Sequence, residues 1–170
     1  MFEEISRELR KLGGTHRVSI PMRTDEKGFF ERQCPSKECR GIFKVLMSDW
    51  KAKVSDAKVY CPFCGHASPA TQWNTPSQQR YIKEAARAEF SRRLNRAMKG
   101  AVQRTRPVQM GGGLFSVSMS LDYRPGRIPR AVPAAVSESL RQDFVCESCN
   151  CKYASLGASF FCPACGHNSA

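Results

Sequence analysis

The sequence predicts a small, metal-stabilised α+β chain: two four-cysteine modules joined by a basic amphipathic helix and a β-containing linker. Three observations predict it. Eight of the nine cysteines in the 170 residues fall into two groups of paired spacing. One central stretch repeats apolar residues at helical spacing and holds most of the surplus positive charge. Several short runs alternate apolar with polar residues, as strands do. The composition, 41% hydrophobic and 25% charged, is that of a folded chain. No run approaches the ~20 apolar residues a membrane span needs. Met1 to Leu12 is too charged for a secretory signal. A cytoplasmic protein with no membrane contact is therefore expected, and its cysteines need a role other than structural disulfides.

The cysteines supply that role. Cys34, Cys39, Cys61 and Cys64 read C-P-S-K-E-C, then C-P-F-C-G-H; Cys146, Cys149, Cys162 and Cys165 read C-E-S-C, then C-P-A-C-G-H. Two short Cys pairs separated by a dozen or more residues suit a tetrahedral four-thiolate site. Each pair forms a knuckle, and the residues between form a hairpin that brings the knuckles together. Proline fixes φ within the second knuckle. The following glycine allows a left-handed turn that aims backbone N–H groups at sulfur. The octets C-P-F-C-G-H-A-S and C-P-A-C-G-H-N-S agree at six of eight positions, so the chain carries a partial internal repeat. His66 and His167 follow complete ligand sets and are expected to bond nearby backbone. Cys151 is expected to be a free, oxidisable thiol beside the second site.

Both groups resemble zinc ribbons, with C-P-F-C-G-H and C-P-A-C-G-H as their second knuckles. The second also resembles the short rubredoxin-like module of rubrerythrins, although Asn150 and Cys151 stand where that module has glycine and an aromatic. Asparagine tolerates the left-handed turn nearly as well as glycine. The resemblance covers about 30 residues per ribbon. It implies two Zn²⁺ ions, with iron at the second site as an alternative.

The expected division is an N-terminal helix and β-hairpin over 1–33, a first ribbon over 34–74, a basic helix over 75–106, a Gly/Pro-rich linker over 107–139 and a second ribbon over 140–170. Phe2, Ile5, Leu9 and Leu12 have helical spacing, with Gly13 and Gly14 as the stop. Arg17 to Met22 reads as a strand, and Gly28 to Cys34 as its returning partner after a turn at Asp25–Gly28. Gly41 to Met47 is the strand of the first ribbon. Trp50 and Trp73 are expected to pack on a module too small to hold itself together.

Residues 75–103 give the clearest helix. Thr75 suits the N-cap, Pro76 the first turn, and Gln78 completes a capping box. Ile82, Ala86, Phe90, Leu94, Ala97 and Ala101 form the expected apolar stripe. Nine basic residues against two acidic ones lie between 76 and 107, in a chain whose net charge is +12. Arg80, Arg87, Arg92, Arg93, Arg96, Lys99, Arg104 and Arg106 are the candidate contacts to a DNA or RNA backbone, with little base specificity. Leu114 to Leu121 alternates Phe115, Val117, Met119 and Leu121 with serines and reads as a half-buried strand. Arg124 to Pro133 reads as an extended connection. Phe144, Tyr153, Leu156, Phe160 and Phe161 are a large apolar complement for the second ribbon, so a covering strand or a protein partner is expected there.

No phosphate-binding glycine loop, H-E-x-x-H or G-x-S-x-G motif occurs, and four-cysteine sites are closed. The sequence therefore points to a non-catalytic zinc-binding module that contacts nucleic acid through its helix and protein through its second ribbon. With Cys165 five residues from the end, it also fits the N-terminal part of a longer protein. The alternatives are a protein–protein adaptor with an acidic partner and a rubredoxin-like iron electron carrier.

Overall fold

The computed structural model describes residues 2–14, 17–104, 108–110, 117–120, 122–136 and 142–168. The chain divides into two units. One comprises Pro21–Tyr81 and Val132–Ala170, and the other Met1–Ile20 and Ile82–Ala131.

The first unit holds all nine cysteines around one antiparallel sheet. Its strands are β1 (Phe29–Gln33), β2 (Ile42–Leu46), β7 (Gln142–Val145) and β8 (Lys152–Ser155), in the order β1-β2-β8-β7. The first module contributes β1 and β2, and the second β7 and β8. The central pair joins them, with Phe43 opposite Ser155, Lys44 opposite Ala154 and Val45 opposite Tyr153. Residues directly opposite share a face. Phe30, Val45, Tyr153 and Phe144 therefore line one side of the sheet. Phe30, Phe43, Val45, Trp73 and Tyr153 form the core together with Cys34, Cys61, Cys146, Cys151 and Cys162. On the opposite face the Lys44 ammonium is buried against Asp25 at 3.3 Å. Asp25 also accepts the backbone N–H groups of Phe29 and Lys27.

Two expectations change here. Arg17–Met22 forms no strand, so β1 pairs with β2 and not with a preceding strand. A strand is held by its packed face, and in that segment Val18 is exposed. The apolar residues of the second module are covered in part by the first, at Tyr153 and Phe161, while Leu156 and Phe160 stay exposed. Tyr153 lies at the shared seam and stacks on Phe144, while the Phe161 ring lies against Gly65.

Helix α2 (Met47–Lys53) follows β2 without a break, then β3 (Val59–Tyr60) and β4 (Ala67–Ser68) frame the second knuckle of the first module. Trp73 is wholly buried, meets Phe43 edge-on at 5.7 Å, and donates its indole N–H to the Ser68 carbonyl at 3.1 Å. Trp50 packs edge-on against Phe30 at 5.3 Å. The Arg32 guanidinium lies 4.1 Å from the Phe30 ring centre and 4.4 Å from that of Trp50. It donates to Asn74 and Gln78, and burial lowers its pKa to about 9.

Helix α3 (Pro76–Arg104) starts as expected. The Gln78 N–H donates to Thr75 Oγ1, and the Thr75 N–H donates to Gln78 Oε1, closing a capping box. Gln78 Nε2 also donates to the Glu31 carbonyl on β1, tying the helix start to the sheet.

In the other unit, α1 spans Phe2–Leu12. The expected stripe on α3 is buried only in part: Phe90 is 55% exposed and Ala86 is exposed, Ile82, Leu94 and Ala97 are half-buried and Ala101 is buried, while Ala88, outside the stripe, is buried too. Alanines at 85, 86, 88, 97 and 101 ring the helix, so no single side is exclusively apolar. Asn95 Oδ1 accepts a hydrogen bond from the Tyr123 hydroxyl at 2.6 Å, and its Nδ2 donates to the Gly126 carbonyl, which fastens the extended Pro-rich segment to the helix. Val117–Met119 (β6) is a strand, and its partner is β5 (Val108–Met110), not a ribbon. The rest of the expected strand, 114–116 and 121, lies outside the described residues.

Candidate metal centres

Each centre is built from two knuckles. In the first module, the Cys34 N–H donates to the Gly41 carbonyl, and Arg40 takes a left-handed φ of 49°. In the second, the Cys146 N–H donates to the Cys151 carbonyl, and Asn150 takes φ 56°. Arg40 and Asn150 thus occupy equivalent positions in first knuckles of unequal length. Asparagine suits this conformation; arginine there had no signature in the sequence. The other knuckles are alike. Gly65 (φ 68°) and Gly166 (φ 74°) donate to the carbonyls of Cys61 and Cys162. Cys61 and Cys162 donate to the carbonyls of His66 and His167.

These turns gather the sulfurs. Cys34, Cys39, Cys61 and Cys64 form one group and Cys146, Cys149, Cys162 and Cys165 the other, all sulfurs within a group lying within 4.8 Å of one another. The Cys34–Cys64 and Cys39–Cys61 separations are 3.8 and 3.7 Å; those of Cys146–Cys165 and Cys149–Cys162 are 3.7 and 3.5 Å. A tetrahedron with metal–sulfur bonds of about 2.3 Å has edges of about 3.8 Å. Both groups therefore fit a tetrahedral metal ion. The chain carries two zinc-ribbon-like modules that could each bind a metal.

Burial sets how firmly most of these thiols hold their protons. Desolvation pushes Cys34 up to about 11, and raises Cys61 and Cys149 further. Cys162 is raised first by its hydrogen bond with Cys151 and then by burial. At Cys64 desolvation acts upward, but the His66 backbone and the other three thiols outweigh it and the pKa falls.

His66 and His167 are exposed and belong to neither group. The His66 ring lies 2.8 Å from Ser68 Oγ. His16 is outside the described residues. Cys151 is not one of the four grouped sulfurs and is fully buried in the core, so the expected oxidisable thiol is shielded.

The sequence reading missed Asp49 and Lys53 on α2. Asp49 is buried, and its Oδ2 accepts the backbone N–H of Lys152 at 2.7 Å. Its Oδ1 pairs with Lys53 Nζ at 3.0 Å, and Lys53 donates to the Asn150 carbonyl at 2.7 Å. In sequence the two are an ordinary i,i+4 surface pair; nothing there announces a partner a hundred residues away.

Among the candidate nucleic-acid contacts, Arg80, Arg87, Arg92, Arg96, Lys99 and Arg104 are exposed on α3. Arg93 is half-buried and pairs with Glu89 at 2.8 Å; Arg92 also pairs with Glu89, at 2.9 Å. Arg106 lies outside the described residues. No described helix is long and apolar enough to cross a membrane.

No protein-family model, curated protein or solved structure matches the chain.

Proposed function

We propose that the chain is a non-catalytic, cytoplasmic zinc protein: two Zn²⁺ ions hold the ribbon unit together, and α3 contacts a nucleic-acid backbone. The observation that supports the metal reading most directly is the set of sulfur separations, 3.5 to 3.8 Å, at the edge length of a zinc–thiolate tetrahedron. Four thiolates leave no open position for substrate, which supports a structural metal. A bound divalent cation would displace the protons that the buried thiols hold, so its affinity should depend on pH. The nucleic-acid reading is supported by the exposed cations of α3, Arg80, Arg87, Arg92, Arg96, Lys99 and Arg104. Glu89 offsets part of this charge at Arg92 and Arg93. A protein partner at the second module would meet Leu156 and Phe160, which are 61% and 44% exposed.

Metal content and a nucleic-acid shift assay on the same purified protein test this reading. Two zinc ions per chain and binding that weakens steeply with salt are expected. A colourless, two-zinc protein that binds no DNA or RNA at ~50 mM salt, where electrostatic binding is strong, would leave an adaptor with an acidic protein partner. Visible absorption from iron at Cys146, Cys149, Cys162 and Cys165 would favour the rubredoxin-like electron carrier.

A further inference from the structure

The two metal sites are nearly equivalent in their knuckles and differ in what holds the first one. At the first site, the carbonyl of the left-handed residue Arg40 accepts a neutral amide from Gln33, a residue of the same module, at 3.2 Å. At the second, the equivalent carbonyl of Asn150 accepts the ammonium of Lys53, from the other module, at 2.7 Å. Asp49 holds Lys53 in place and also takes the Lys152 N–H. A carboxylate and an ammonium from α2 thus clamp both ends of the segment Asn150–Lys152. Within it the Cys151 backbone N–H reaches the Cys149 thiol. Lys53 is held above its usual range first by Asp49, and also by the nearby Cys151 and Cys149 thiols.

We infer that Asp49 and Lys53 are positioning residues of the second metal site, which is therefore assembled from both modules. The inference rests on the metal-binding reading above. Their work is of two kinds. Lys53, bonded to the Asn150 carbonyl, fixes the Asn150–Cys151 peptide whose N–H is aimed at the Cys149 sulfur, while Asp49 anchors Lys53 and the next peptide through the Lys152 N–H. Lys53 places a positive charge beside a centre that carries a net −2 when a divalent ion sits on four thiolates. Groups beyond the ligands that orient and polarise them change metal affinity by 10- to 100-fold. The first site has a neutral amide where the second has a cation, so the two ions should differ in how firmly they are held. Removing Lys53 should reverse or erase that difference.

The test uses the full chain loaded with ¹¹³Cd²⁺, whose two resonances are told apart by their couplings to assigned cysteine β-protons. Lys53→Met should move the resonance of the ion on Cys146, Cys149, Cys162 and Cys165 and leave the other in place. Under chelator challenge that ion should leave first, about 10- to 100-fold sooner than in the wild type. Lys53→Arg, which keeps the charge, should restore both shift and release. Asp49→Asn should act on the same ion. Should Asp49→Asn fail to fold, the Lys53 pair decides alone. Unchanged resonances and release in Lys53→Met, or equal changes at both ions, would overturn the inference. So would Lys53→Arg behaving like Lys53→Met. A protein that takes up no cadmium would instead end the metal reading itself.

Discussion

Gly166→Ala tests how tightly the two modules are fitted. Gly166 sits at φ 74°, and a β-carbon there would lie 2.8, 2.9 and 3.0 Å from three ring atoms of Tyr60. Carbon atoms normally meet at about 3.5–4.0 Å. The Tyr60 backbone is held against the second module by its N–H bond to the Pro163 carbonyl at 3.0 Å, so the ring can yield only by leaving its rotamer. A left-handed alanine costs about 1 kcal/mol, and overpacking of this kind typically adds about 1–3 kcal/mol. The loss should therefore be about 2–4 kcal/mol. Gly65→Ala is the internal control. Its φ is 68°, but its β-carbon would stand 3.2 Å from the Phe161 ring, a contact relieved by a few tenths of an ångström. It should cost about 1–2 kcal/mol, mostly from the backbone. For a domain of this size each kcal/mol lowers the melting midpoint by about 4–8 °C. The assay is thermal unfolding of the zinc-loaded protein, with released zinc followed by a coloured chelator. Gly166→Ala should melt well below Gly65→Ala, and Tyr60→Leu should recover part of the loss in the double variant. Equal melting of the two alanine variants, or no recovery, would refute the close fit of Tyr60 on the second module.

Cys165→Ser should reduce zinc from two ions to fewer than one per chain, not to one. The central β2–β8 pairing makes each module part of the other's sheet, and a structural zinc contributes more free energy than a domain's whole margin of stability. A full remaining equivalent would show that the modules fold separately. Phe161→Asp should destabilise the protein by roughly 2–3 kcal/mol, since it removes packing and adds a charge at the module junction, whereas Phe160→Asp, at a residue 44% exposed, should leave the melt near wild type. Metal affinity should rise with pH by at least about a hundredfold per unit near neutrality. The thiols of Cys34, Cys61, Cys149 and Cys162 are raised and so hold protons that the metal must displace; a flat profile in chelator competition would contradict this. Changing Arg92, Arg96 and Lys99 to Gln should leave fold and zinc intact and make the dependence of log K on log salt shallower by about 2, because Arg92 is already partly neutralised by Glu89.

What the sequence made legible was local. Thr75, Pro76 and Gln78 sit within one turn, so their capping box could be read from three letters, and the structure closes it with both hydrogen bonds. The cysteine spacings were legible because each knuckle is a tight turn with few residues in which to vary. The long-range decisions were not. Whether β1 would pair with a segment before it or after it depended on which candidate carried a packed face. Arg17–Met22 lacked one, while Phe43 and Val45 on β2 are buried. The surplus of apolar residues in the second module was visible, but a sequence does not say what covers a surface: the first module meets Tyr153 and Phe161 and leaves Leu156 and Phe160 exposed. The stripe on α3 is only partly buried for a related reason: alanine is small enough to be buried or exposed at little cost, so a row of alanines does not fix which side faces inward.

The two modules meet in a way that explains their partial repeat. The Tyr60 N–H donates to the Pro163 carbonyl, and the Phe161 N–H donates to the Pro62 carbonyl. Tyr60 and Phe161 are equivalent residues, each just before the first cysteine of a second knuckle, and Pro62 and Pro163 are equivalent prolines. The aromatic rings follow the same exchange: Tyr60 lies over Gly166, and Phe161 over Gly65. β2 and β8, the strands after the two first knuckles, pair antiparallel at the centre. This reciprocity, in which residue i meets j and j's equivalent meets i's, is the signature of an isologous contact between two copies of one unit. Here both copies are on one chain. The six shared letters of C-P-x-C-G-H-x-S therefore serve two purposes. Cysteine and glycine shape the metal knuckle, and proline and glycine also form the socket for the other module's aromatic residue. Alpha-helix α2 is where the symmetry breaks. It follows the first module's strand β2, whereas β8 ends at Ser155 and is followed by no described helix. Its Asp49 and Lys53 reach only the second site, so a near-symmetric pair of modules presents two metal centres of unequal electrostatic setting.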